Sequence, residues 1–124
     1  MSEFKKMRAA GYARVSTEEE IQEGSYDLQV QYFRDMIMED PNLELVDVYG
    51  DFGISGREAE KRPGLQQMLK DCDDGKIDVI YTKSVSRFAR NIADMVEIVT
   101  HLRKIGVAIY FEEQGLNTMD RSTD

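Results

Sequence analysis

Apolar and polar residues fall in blocks along this chain, and the blocks differ in period. RAAGYARV, residues 8–15, reads as a strand. A polar stretch with Gly24 follows. Then comes DLQVQYFRDMIMED, in which Leu28, Tyr32 and Met36 form one stripe with Phe33 and Ile37 adjoining it, the spacing of a helix. Asp27 or Ser25 is placed to cap its start, and Pro41 marks its end. LELVDVY, residues 43–49, is a second strand. DFGISGREAEKR is glycine-bearing, charged and aperiodic, which predicts a loop. Pro63 suits the first turn of a helix carrying Leu65, Met68, Leu69 and Cys72, closed near Gly75. IDVIYT, residues 77–82, is a third strand, and KSVSRFARN after it is an irregular or short helical segment dense in cations. Ile92, Met95, Val96, Val99 and Leu102 step by three and four, so an amphipathic helix runs from about Asn91 to Lys104 and ends at Gly106. VAIYF, residues 107–111, is a fourth strand. From Asn117 the chain is polar and predicts no further element.

Strand alternates with helix throughout. That order predicts an α/β fold: a mainly parallel sheet of four to five strands, flavodoxin-like in topology and flanked by helices. Right-handed crossovers then bring the loops that follow the strands to one edge, where the carboxyl ends of strands collect ligand sites. Three polar segments meet there: the YARVST stretch ending strand one, the DFGISG loop after strand two, and KSVSRFAR after strand three.

Composition adds bounds. The 124 residues suit one domain, residues 1–124, and 41% hydrophobic with 32% charged residues describes an ordinary globule. No apolar run approaches the roughly 20 residues of a membrane span. The start, MSEFKKMRAAG, has no apolar signal region, and the lone Cys72 suits a reducing cytoplasm, where it reads as core filler. The net charge of −8 is a conflict in waiting, because it argues against a nucleic-acid surface.

The converging segments supply Arg14, Ser16, Asp51, Ser55, Arg57, Arg62, Lys83, Ser84, Ser86, Arg87 and Arg90, with no histidine or cysteine. Arg14 and Ser16, two apart on an extended chain, point to one side. Arginine forks match the oxygens of a phosphate, and fixed guanidinium groups stabilise charge gathering on a phosphoryl transition state. The residue types therefore point to serine attack on a phosphate ester, with no metal and no cofactor. Other candidates read as structure. Arg57 and Glu58–Lys61 are solvated surface, and Glu18–Glu20 belong to a polar stretch. Asp71, Asp73 and Asp74 beside Gly75 are a solvated helix end, and His101 is a surface or interface residue on its helix. The hydrolase elbow, P-loop and dinucleotide fingerprints are absent.

Taken together, the motifs resemble the catalytic domain of the serine recombinases, the resolvase and invertase family. Tyr12-Ala13-Arg14-Val15-Ser16-Thr17 matches the family's opening signature, and Leu28-Gln29 falls where the family has a helix glutamine. Asp51 with Gly53-Ile54-Ser55-Gly56 resembles its loop after strand two, Lys61-Arg62-Pro63-Gly64-Leu65 its R-P-G-L segment, and Ser86-Arg87-Phe88-Ala89-Arg90-Asn91 its arginine-rich segment. The resemblance runs from about residue 8 to 116. It implies Ser16 as the nucleophile that joins to a DNA 5′ phosphate. It implies Arg14, Arg87 and Arg90 around the scissile phosphate, Gln29, Asp51 and Arg62 as supporting residues, and Lys83, Ser55 and Ser86 as substrate contacts. Ser86 stands where many smaller resolvases carry aspartate; with the longer DFGISG loop it looks more like the large serine recombinase or transposase branch.

The resemblance also implies a double-stranded DNA substrate, a dimer-to-tetramer assembly of the intact protein, and a long helix and DNA-binding region downstream. On that expectation the chain is a fragment, and the downstream part carries most phosphate contacts, which reconciles the −8 charge. Two alternatives stand beside it. One is a non-catalytic regulatory module of the same fold, against which the intact Arg14, Ser16, Arg87 and Arg90 set speaks. The other is a phosphate- or nucleotide-binding domain, which a glycine-rich turn at a helix start would favour.

Overall fold

The computed structural model describes residues 6–15, 17–52, 62–89 and 91–119. Among them the order is β1 (Met7–Val15), α1 (Glu18–Gln22), α2 (Ser25–Glu39), β2 (Leu43–Phe52), α3 (Pro63–Asp73), β3 (Val79–Thr82), α4 (Val85–Phe88), α5 (Ile92–Lys104), β4 (Ala108–Phe111) and β5 (Leu116–Asn117). The sheet order is β2-β1-β3-β4-β5. The first four strands are parallel, and β5 returns antiparallel to β4. The expected α/β architecture is present, with β1 at the point where the strand order reverses. In open parallel sheets that is where a crevice opens beyond the carboxyl ends of the strands.

Alternation along β1 divides the core in two. Ala9 faces a cluster with Ile37 of α2, Leu43, Val79 and Ala108. Ala10 and Tyr12 face the opposite cluster, built from Leu65, Met68 and Cys72 of α3, Phe88 of α4, Leu102 of α5, and Ile80 and Ile109 of the sheet. Burial also explains the behaviour of Cys72: desolvation pushes its thiol up to about 12, so it is packing material, as its place on an apolar face predicts.

Several expectations need correction. On α2 the core-facing row is Gln29, Phe33 and Ile37, whereas Leu28 and Tyr32 are exposed. The helix is rotated because Gln29 is drawn inward by backbone partners described below. Neither Ser25 nor Asp27 caps α2. Gly24 does, in the left-handed region at φ 75°, without a side-chain bond. The polar stretch before it contains the short helix α1. β2 continues through Asp51 and Phe52, because β1 extends equally far and pairs Arg14 with Asp51 and Val15 with Phe52. Ile92 and Val96 lie on the exposed side of α5, and Leu102 is its buried anchor. The segment after Leu116 does close an element, since Thr118 bonds Ile109 and β5 extends the sheet edge.

Candidate active site at the carboxyl edge of the sheet

Arg14 lies one residue before the end of β1, on the same face as Tyr12. Its guanidinium donates from Nε to the Arg87 carbonyl at 3.0 Å and from Nη2 to the Ser86 carbonyl at 2.7 Å. Arg87 answers with Nη1 donating to the Arg14 carbonyl at 3.1 Å. The two arginines are thus laced to each other's backbones, across 73 residues of sequence. Carbonyl acceptors orient both cations without cancelling their charge. The backbone of Arg14 is held from the other side by Gln29. The Gln29 Oε1 accepts from the Arg14 N–H at 3.3 Å, and its Nε2 donates to the Arg14 carbonyl at 3.4 Å. A buried amide that satisfies a strand end in this way explains a polar residue on the core row of α2.

Arg87 sits on α4, a single turn. Ser84 caps it, its Oγ accepting from the Arg87 N–H at 3.4 Å and lying 3.1 Å from the Ser86 hydroxyl. Ser86 itself is exposed. The Arg87 fork also grips Glu20 of α1, with Nη2 to Oε2 at 2.6 Å and Nη1 to Oε1 at 3.1 Å. Arg14, Val85, Ser86, Ala89, Asn91, Ile92 and Gln114 line a groove of about 540 Å³ beside this assembly.

Asp51 works one layer below. It is buried and accepts from the Tyr12 hydroxyl at 2.6 Å, the Gly64 N–H at 2.7 Å and the Leu65 N–H at 2.9 Å. Its carboxylate therefore caps α3 from the neighbouring strand, and the positive end of the helix favours its charge. Burial, then the bond to Asp51, pushes the Tyr12 phenol far up, so it stays a donor. The cap needs a close approach: a Cβ on Gly64 would lie 2.2 Å from the Gly50 carbonyl oxygen. Glycine after Pro63 is thus a steric requirement of this junction.

Arg62 is 3% exposed. It adopts φ 40°, in the left-handed region that costs a side-chain-bearing residue energy. Its Nη1 donates to the Phe88 carbonyl at 2.7 Å and its Nη2 pairs with Asp94 at 2.8 Å. It clamps the segment that carries Arg87 from beneath. Lys83 lines a different groove of about 360 Å³ with Ser25, Leu28, Gln29, Tyr32, Phe33 and Glu112. Ser16, Ser55 and Arg90 lie outside the described residues. Among the described residues no group of three or more His, Cys, Asp or Glu is arranged to hold a metal, and no helix is long and apolar enough to cross a membrane.

The structure therefore joins Arg14, Arg87, Ser86 and Gln29, with Asp51 and Arg62 supporting from below, and sets Lys83 apart. Three participants were not legible as such, Tyr12, Glu20 and Asp94, and Ser84, counted among the converging polar residues, acts as the cap of α4. Ser84 and Asp94 stand where a cap and a first helical turn would be sought, but nothing local announces that Glu20 meets Arg87 or that Asp94 meets Arg62. His101 pairs with Asp73 at 2.6 Å on the surface, away from the site, consistent with a surface role.

The end of β1 and the helix after β3 thus bring two interlaced arginines together at the carboxyl edge of a mainly parallel sheet. Comparison with known proteins makes the class specific. Residues 9–124 match the family model "Resolvase, N terminal domain". A resolvase/recombinase of Pseudomonas putida is 31% identical over 112 residues, which are 90% of this chain and 55% of that protein. The transposon Tn552 DNA-invertase BinR of Staphylococcus aureus is 34% identical over 113 residues, 91% of this chain and 50% of that protein. The crystal structure of a resolvase family site-specific recombinase from Streptococcus pneumoniae superposes with TM-score 0.77 at 29% identity, covering 95% of this chain and 80% of that one. The chain belongs to the resolvase N-terminal domain family. It spans about half the length of the curated relatives it matches.

Proposed function

We propose that the protein containing this chain is a serine site-specific recombinase, and that Ser16 is its nucleophile. The Ser16 Oγ attacks a phosphorus of double-stranded DNA and the bond to the 3′ oxygen breaks. The phosphoryl group stays on the serine as a 5′-phosphoserine, and the hydroxyl proton is passed on, so that the leaving strand ends in a 3′-OH. Attack by an exchanged 3′-OH on the phosphoserine reverses these steps and frees the serine. One phosphate ester replaces another each time, so no external energy source is needed. Strand exchange implies that two or more copies act together, as a dimer or tetramer of the intact protein.

The observation that carries this reading is the reciprocal Arg14–Arg87 lacing, two residues before Ser16. It holds two guanidinium groups together, that of Arg14 lining a groove and that of Arg87 paired with Glu20, with backbone carbonyls orienting both. Such preorganised donors stabilise charge developing on phosphate oxygens, and removing one comparable donor costs roughly 10²–10³ in rate. Arg90 is assigned to the same phosphate by family resemblance. Gln29 and Asp51 act through position: the first fixes the Arg14 backbone, the second fixes the junction of β2 and α3. Arg62 holds the Arg87 segment. Ser55, Ser86 and Lys83 are assigned to flanking contacts. Chemistry by cations already on the chain calls for no metal, so EDTA should leave cleavage unchanged.

The test is to trap a covalent protein–DNA adduct with the intact protein and map the modified peptide. An adduct on Ser16, lost in Ser16→Ala while site binding persists, is expected, because affinity comes from phosphate and base contacts elsewhere. An adduct on Ser55, Ser84 or Ser86 would overturn the assignment. With a net charge of −8, the 124-residue chain alone should bind DNA weakly in a gel shift.

A further inference from the structure

We propose that Glu20 is an internal competitor for the phosphate site: its carboxylate occupies the Arg87 fork in the resting chain and must leave when a phosphate enters. The inference rests on reading Arg87 as a phosphate receptor. Three observations support it.

The contact is two-pronged, 2.6 Å and 3.1 Å from separate guanidinium nitrogens to separate carboxylate oxygens. A planar guanidinium offers that same pair of donors to the oxygens of a phosphate. A carboxylate so seated mimics the ligand and blocks it.

The second observation is selectivity within the acidic run. Glu18 and Glu19 are exposed, whereas the Glu20 side chain is 19% and the Arg87 side chain 21% exposed. The pair is shielded enough to matter and open enough to exchange. Arg87 keeps a second anchor for its fork when Glu20 leaves, because its Nη1 is also bonded to the Arg14 carbonyl.

The third is the element that carries Glu20. α1 has five residues, far below the length at which a helix holds itself, and it starts from a Thr17 Oγ1 that accepts the Glu20 N–H at 3.1 Å. Moving α1 removes Glu20 from Arg87 without disturbing the sheet. The site is thereby neutralised until a phosphate arrives; a DNA phosphodiester carries one charge, as the carboxylate does, so it displaces Glu20 with the help of the contacts that the rest of the DNA makes.

The rival role for Glu20 is to hold Arg87 ready for phosphate. The two roles predict opposite signs. The experiment titrates inorganic phosphate into the 124-residue chain at low salt, following the arginine Nε–H signals by NMR. Glu20→Gln should tighten phosphate binding about five- to tenfold, the scale of one charge-assisted contact removed from the competitor. Glu19→Gln, with the same change of net charge, should alter it by less than about twofold, because an exposed charge is screened. The gain should vanish in Glu20→Gln with Arg87→Ala. Glu20→Asp, which shortens the reach and keeps the charge, should give an intermediate gain and serves if the glutamine variant does not fold. Unchanged or weaker binding in Glu20→Gln, or an equal gain in Glu19→Gln, overturns the proposal. Serine chemistry is read separately by the covalent adduct. An adduct on Ser16 without tighter phosphate binding defeats the competitor alone, and tighter binding without an adduct defeats the nucleophile alone.

Discussion

Arg62 and Arg87 use the same kit. Each donates to a backbone carbonyl and pairs with a carboxylate from another element, Asp94 at 2.8 Å and Glu20 at 2.6 Å. They differ in access. The Arg62 and Asp94 side chains are 3% and 14% exposed, and those of Arg87 and Glu20 are 21% and 19% exposed. In a sealed place the desolvated cation is committed, since losing its partner would strand a buried charge. In a partly exposed pair water and anions can replace the partner. The comparison separates a cation sealed into the scaffold from a cation open to exchange, and neither sequence position nor residue type draws that line.

Substitutions at the two pairs test this difference, and the sealed pair should show the largest effect. Asp94→Ala leaves Arg62 buried without its carboxylate and should destabilise the chain by about 3–5 kcal/mol in urea unfolding. A loss below 1 kcal/mol would mean that Arg62 reaches solvent in solution. Asp51→Ala comes next. It deprives the Tyr12 hydroxyl and the Gly64 and Leu65 N–H groups of their acceptor at once. A cost of about 2–4 kcal/mol follows from stranding buried donors at a helix start. Gly64→Ala should cost about 1–3 kcal/mol, because the new methyl meets the Gly50 carbonyl and the α3 start must retreat. Glu20→Gln should be the mildest, at about 1 kcal/mol or less, as expected for a half-open ion pair. If Glu20→Gln destabilises as much as Asp94→Ala, the contrast between sealed and open pairs fails.

Cys72 offers an internal readout for the series. The thiol is 2% exposed and held up to about 12, so thiol reagents at pH 8 should react at least about a thousandfold more slowly with the folded chain than with the unfolded one. The labelling rate should rise with each destabilising substitution in the order above. Fast labelling of the unsubstituted chain would show that α3 opens locally, without global unfolding.

Much of this could be read before any coordinates. The alternation of strand and helix blocks, Pro63 opening α3, Asn91 capping α5 through the Asp94 N–H at 2.8 Å, and left-handed Gly75 and Gly106 after the helices all express local preferences that a short window contains. So does the placing of Arg14 near the end of β1 and of the Arg87 segment after β3, because crossover handedness leaves few topologies. These are consequences of periodicity and turn chemistry, which act between neighbours in sequence.

Tertiary structure alone decided which polar groups meet. Gln29 looks solvent-facing in a window of α2, yet it turns inward because the end of β1 presents the Arg14 N–H and carbonyl at that height. Glu20 looks like one of three equivalent acids, and only the arrival of α4 beside β1 selects it for Arg87. Arg62 and Asp94 are 32 residues apart, and nothing in either neighbourhood encodes that the two side chains meet. Apolar burial is largely additive and leaves a periodic trace in sequence. The partner of a polar group depends on which strands lie side by side, β2-β1-β3-β4, and that order exists only once the chain has folded.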